Sequence, residues 1–140
     1  MLFRSDADAA APGDDRRPMT AAELRELTGS GLVTLGAHTR SHISLRFADD
    51  ARLADELAGA VTDLTAISGV APTVLAYPFG VDGVDVDARV VTATRRAGYQ
   101  AAVLNGRRTG PGDAFRIPRL AVADLDGAGL LAALSSPGPG

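Results

Sequence analysis

The sequence predicts an α/β fold built around a parallel sheet. Short apolar runs rich in strand-forming residues alternate with stretches of helical period, and glycines and prolines punctuate the joins. Strands linked through helices of ten or more residues need right-handed crossovers, so they lie parallel in an open sheet or a barrel. At 140 residues and 46% apolar the chain can bury one core and has too little material for a second domain. Four expected strands are few for a closed barrel.

The polar segment 1–18 and the closing stretch 135–140 read as disordered ends, which leaves 19–134 as the folded unit. Thr20 opens the first helix through the capping pattern T-x-x-E with Glu23, while Met19 and Leu24 occupy the staple positions on either side. After Gly29 and Gly31, the run Leu32 to Leu35 reads as a strand buried on both faces. A long helix begins at Asp49 or Asp50, carries Leu53, Leu57, Val61, Leu64 and Ile67 on one stripe, and stops at Gly69. Thr73 to Ala76 is the next strand. Asp87 to Ala97 is a helix closed by Gly98, with Arg95 and Arg96 near its negative end. Tyr99 to Leu104 and Phe115 to Val122 complete the strands; Pro118 assigns the latter to an edge or a strand end. A weak helix from Asp124, diluted by Gly127 and Gly129, ends the fold.

Ligands of such folds bind where the strands end. Two loops stand there. GAHTRSH (Gly36 to His42) follows the first strand, and YPFG (Tyr77 to Gly80) follows the second. His38 and His42 are four apart, a spacing that brings two imidazoles to one side if the chain turns helical after the strand. They are the 2 histidines of a chain with 0 cysteines. Any metal here is therefore held by imidazole and oxygen, needs a third protein ligand such as an aspartate, and keeps a position for water. The plainer alternative is a turn-capping His38 with His42 in solvent, and for YPFG an ordinary Pro-Gly turn.

GAHTRSH, AYPFG and IPRLAV occur in the order and at about the separations of the polysaccharide deacetylases (NodB homology, carbohydrate esterase family 4), which the sequence resembles from about Met19 to Leu134. The resemblance implies an irregular (β/α) barrel, here partial, with its N-terminal strands missing. It also implies a divalent metal, zinc first with cobalt or nickel accepted, and removal of N-acetyl or O-acetyl groups from a polysaccharide or oligosaccharide. His38 and His42 match the metal-binding histidines of the H-[ST]-x-x-H motif, and Thr39 fills its hydroxyl position. Tyr77, Pro78, Phe79 and Gly80 match the loop lining the acetyl pocket, where the backbone N–H of Phe79 is the oxyanion donor. The arginine that commonly opens that motif is Ala76 here, and Arg119 is the candidate to take over its orienting role.

The departures from the family pattern are as informative. No T-F-D-D-G motif occurs, so the general-base aspartate and the third metal ligand are missing, and the doublet Asp14-Asp15 has no apolar strand before it. Neither is there a late histidine to protonate the leaving group. Each such loss typically costs 10² to 10⁴ in rate, so the chain alone is expected to be inactive or weakly active. The alternative reading is a non-catalytic, carbohydrate-binding or regulatory relative, with Tyr77 and Phe79 as stacking surfaces. An open sheet edge would require a partner chain or self-association. A net charge of −3 excludes any general attraction for nucleic acid, and no segment is apolar enough to span a membrane. Without a signal peptide the chain reads as cytoplasmic as written, or as extracellular or cell-envelope if its front is missing.

Overall fold

The structure, a computed structural model, describes residues 19–106, 112–119 and 126–135. Helix α1 (Ala21–Gly29) starts as the sequence predicts: the Glu23 N–H donates to Thr20 Oγ1 at 3.3 Å, and the Thr20 N–H donates to the Glu23 carboxylate at 2.8 Å. Leu24 faces the core, and the Arg25 guanidinium donates to Ile67 O at 2.8 Å, tying α1 to the end of α2 (Asp50–Ser68). The Asp49 carboxylate caps α2 by accepting from Arg52 N, and Gly69 ends it in the left-handed conformation at φ 77°. Leu53, Leu57, Ala60 and Leu64 form its buried stripe, each leucine contributing about 1.5–3 kcal/mol by leaving water. Glu56 lies on that same buried face.

Among the described residues three parallel strands form the sheet, in the order β1 (Val74–Ala76), β2 (Ala101–Asn105), β3 (Ile117–Arg119). Leu75 pairs with Ala102, and Leu104 with Pro118. Pro118 thus sits on an edge strand, where its missing N–H costs nothing outward. The crossover from β1 to β2 contains α3 (Ala88–Arg96), capped by the Asp87 carboxylate on Val90 N. Tyr99 enters β2 from the core, its hydroxyl donating to Leu57 O at 3.0 Å. Helix α4 (Gly127–Ser135) follows, with the Asp126 carboxylate accepting from Gly129 N; the expected start at Asp124 and the end of the last strand (120–122) lie outside the described residues.

One expected strand is not there. Leu32 to Leu35 forms no ladder; the segment touches the sheet only later, where Ala37 N donates to Val74 O and Ala76 N to Ala37 O, both at 2.9 Å. Leu32 is 91% exposed, against the burial on both faces that its apolar run suggests. A strand needs ladder partners, and among the described residues this segment has one neighbour and only at Ala37. The sheet is therefore an open α/β sheet; no closed barrel forms among the described residues. No described helix is long and apolar enough to cross a membrane.

Candidate metal and acyl site

Both loops singled out in the sequence meet at the carboxyl ends of the strands. The Ala37–Leu75 bridge sets the start of the histidine turn beside β1, whose own end runs into YPFG. The turn is not helical, contrary to the expectation from the four-residue spacing. Thr39 and His42 adopt left-handed φ of 62° and 56°, a conformation that costs a non-glycine residue about 1–2 kcal/mol unless the surroundings hold it. The Thr39 hydroxyl, buried beneath the turn, accepts from His42 N at 3.1 Å and closes it. By this route the two imidazoles still converge, edge to face with centroids 4.8 Å apart.

His38 is the oriented member of the pair. Its Nδ1 lies 2.6 Å from Ala76 O, and because a carbonyl can only accept, the proton sits on Nδ1 and the lone pair on Nε2. This is the arrangement that fixes the ring of a metal-binding histidine. Burial lowers the pKa of His38 below its ordinary value; the hydrogen bond to Ala76 opposes this, while His42 and Arg119 add to it. The shift favours the neutral ring, the form that can ligate. Among the described residues no group of three His, Asp or Glu side chains is close enough to hold a metal, so the histidines make an incomplete donor set. Asp14 and Asp15 lie outside the described residues.

YPFG splits between core and surface. The Tyr77 N–H donates to Val103 O at 3.1 Å, and its ring is fully buried. It therefore cannot serve as the stacking surface expected of it, because the ring follows the inward alternation of β1. Pro78 is also buried. Phe79, at φ 58°, turns outward, 53% exposed, with its ring 5.1 Å from that of His42. Gly80 seats the loop against β2: Asn105 N donates to Gly80 O at 2.9 Å. Any Cβ on Gly80 would stand 2.9 Å from Asn105 N and 3.0 Å from Tyr77 O. Arg119 projects from the end of β3, donates from Nε to Leu104 O at 3.0 Å, and is near enough for its charge to act on His38.

One residue of the site was not singled out in the sequence. Glu56 reaches from α2 to the back of the histidine turn, its side chain wholly buried. Its carboxylate accepts from Arg40 N and Ser41 N, each at 2.9 Å, and from the Ser41 hydroxyl, and it pairs with Arg52 at 2.7 Å. Burial raises its pKa, but those hydrogen bonds and Arg52 outweigh burial and hold it below the ordinary carboxylate value. The available signal was a glutamate placed three residues after Leu53 and one before Leu57, inside the apolar stripe of a helix.

Known structures share this fold. A polysaccharide deacetylase from Bacillus cereus superposes with a TM-score of 0.64 at 27% identity, over 76% of this chain and 33% of its own. A Streptococcus pyogenes deacetylase, solved with acetate, gives 0.71 at 17% identity over 88% and 54%. A family 4 carbohydrate esterase from Streptomyces lividans, also with acetate, gives 0.53 at 15% over 62% and 42%. The last two, at such identities, speak for the fold alone. The chain spans about a third to a half of these solved structures. A search of curated proteins finds no match. The family model of polysaccharide deacetylases, however, matches residues 9–102, well over half of the sequence and both loops of the site. This chain belongs to the polysaccharide deacetylase family.

Proposed function

We propose that this chain forms the histidine-bearing part of a metal-dependent carbohydrate deacetylase that removes N-acetyl or O-acetyl groups from a polysaccharide. The observation that carries the reading is the convergence of His38, His42 and Phe79 at one end of the sheet, with the His38 ring oriented by Ala76 O so that Nε2 is left to ligate. His38 and His42 would hold the divalent cation; zinc, cobalt and nickel all suit nitrogen and oxygen ligands. The bound metal would polarise the acetyl carbonyl and lower the pKa of the attacking water. The third ligand, by family resemblance, would be an aspartate of the T-F-D-D-G type, a motif this sequence does not contain.

The chain's own residues bind and orient. In hydrolysis, water adds to the acetyl carbon, the C–N or C–O bond breaks, the leaving amine or hydroxyl takes a proton, and acetate departs. The Phe79 N–H serves the oxygen on which negative charge develops, a contribution worth about 10² to 10³ in rate. The Phe79 ring covers one side of His42 and offers an apolar wall to the acetyl methyl. Arg119, whose charge acts on His38, would orient an acidic group or a sugar hydroxyl beside the bound cation.

The incomplete donor set favours one second reading, a carbohydrate-binding relative that does not turn over. Cobalt titration followed by visible absorption, with His42→Ala as control, tests the metal reading: binding that vanishes in the variant supports it, and equal titrations refute it. Acetate release from N-acetylglucosamine oligomers then separates the alternatives. Release above the control indicates catalysis by this chain. None above it, with cobalt bound, favours the binding module or a site completed by another segment.

A further inference from the structure

We propose that Glu56 of α2 is a positioning residue for the histidine pair, and that Gly59 is glycine because the Arg40 arm of the same clamp lies across it. This rests on the metal reading above and extends it to a helix that carries neither histidine. The turn from Thr39 to His42 contains two left-handed non-glycine residues, so something must hold it. Of the groups that do, Glu56 alone takes both consecutive amides, Arg40 N and Ser41 N, together with the Ser41 hydroxyl. Arg52 turns the carboxylate by pairing with Oε1 at 2.7 Å, and donates to Ser41 Oγ at 2.8 Å. A buried carboxylate whose hydrogen bonds, apart from the Arg52 pair, all go to one turn shapes that turn.

Arg40 supplies the outer arm. Its guanidinium donates to Asp55 at 2.7 Å and to Asp63 at 2.8 Å, two turns apart on α2, so the side chain runs along the helix between them. Gly59 lies in the middle of that path. A Cβ there would meet Arg40 Cδ at 2.5 Å and Nε at 2.9 Å. Glycine inside a 19-residue helix is otherwise unfavourable relative to alanine, which gives the position a reason only if the passage of Arg40 matters. Asp55, Glu56, Gly59 and Asp63 together make one face of α2 that grips the turn carrying the two histidines.

The test uses the whole 140-residue chain. Amide exchange at Arg40 and Ser41 is measured in the metal-free protein, and cobalt affinity is measured separately, for the parent, Glu56→Gln and Gly59→Ala. We expect Glu56→Gln to speed exchange at both amides by tenfold or more relative to α1 and to weaken cobalt binding by about tenfold or more, the usual range for groups that hold a metal ligand from behind. For Gly59→Ala we expect about a two- to fivefold loss of cobalt affinity with no fall in melting temperature, since alanine favours the helix. A merely structural role would leave affinity unchanged in this variant. Parental exchange and parental affinity in Glu56→Gln overturn the proposal; should that variant not fold, unchanged exchange and affinity in Gly59→Ala overturn it. If the parent binds no cobalt, the metal reading fails, and the exchange data alone still decide whether Glu56 holds the turn.

Discussion

Replacing Gly80 by alanine should damage the acyl side of the site through the backbone alone. Gly80 has φ 71°, a region that costs an alanine about 1–2 kcal/mol. A second cost is steric: the new Cβ would stand 2.9 Å from Asn105 N and 3.0 Å from Tyr77 O, both backbone atoms that cannot swing aside. Relieving such overlap by backbone shifts typically costs about 1–3 kcal/mol. The sum is about 2–5 kcal/mol. Gly69 isolates the first part, since it has φ 77° but nothing within 4 Å of its Cβ position. Gly69→Ala should therefore lose about 1–2 kcal/mol, and the difference between the two variants should be at least about 1 kcal/mol. Urea unfolding followed by far-UV circular dichroism measures both. The shift in Gly80→Ala should also appear at the Asn105 amide, whose bond to Gly80 O closes the loop on β2. Equal destabilisation of the two variants, or an undisturbed Asn105 resonance, would refute the close approach on which this account of the loop depends.

Three further outcomes follow from the site and the core. Tyr77→Phe should be neutral or stabilising by about 1 kcal/mol in thermal unfolding, because the buried Tyr77 hydroxyl makes no hydrogen bond of good geometry among the described residues: the Thr94 hydroxyl, near enough to act on it, donates its proton to Val90 O; a clear loss of stability would contradict the placement. Arg119→Ala should raise the pKa of His38 in an NMR titration of the metal-free chain while leaving it below its ordinary value, since burial is the larger cause of its lowering; no change would remove Arg119 from the site. Glu56 has a depressed carboxyl pKa, so its contribution is present above the ordinary glutamate range and is lost as pH falls through the lower folded value. Denaturant midpoints between pH 7 and pH 2 should accordingly fall less steeply in Glu56→Gln than in the parent, and parallel acid limbs would count against the hydrogen bonds described.

Legibility in the sequence followed the range of the interactions. The start of α1, both ends of α2 and the start of α3 were readable because Thr20 with Glu23, Asp49, Gly69 and Asp87 act on neighbours a few residues away. β1 and β2 were found to within two residues from their apolar runs. The Leu32 to Leu35 run misled because strand formation depends on a partner remote in sequence, and only Ala37 obtains one among the described residues. His38 and His42 were singled out from four-residue spacing, which assumed a helical turn. The turn they occupy is instead closed by the Thr39 hydroxyl and by Glu56, and the site position was right while the local conformation was not. Tyr77 and Phe79 looked equivalent as aromatic flanks of one proline, and only the alternation of β1 separates a core ring from a surface ring. Glu56 resembled any helix glutamate until its place in the apolar stripe was weighed.

The grip of α2 on the histidine turn also bears on the order in which the site is assembled. Glu56 reaches back only 15 and 16 residues to Ser41 and Arg40, whereas His38 meets Ala76 across 38. Loop closure costs about 0.6 kcal/mol more for each doubling of length, and short-range contacts form sooner in time as well as more cheaply. The turn can thus take its shape on α2 as soon as that helix exists, before β1 has paired with β2. The docking of β1 then adds Ala76 O to a pair of imidazoles already set side by side, so the nitrogen half of the site would form early in folding and the acyl half, carried by Phe79 and Gly80, would follow with the sheet.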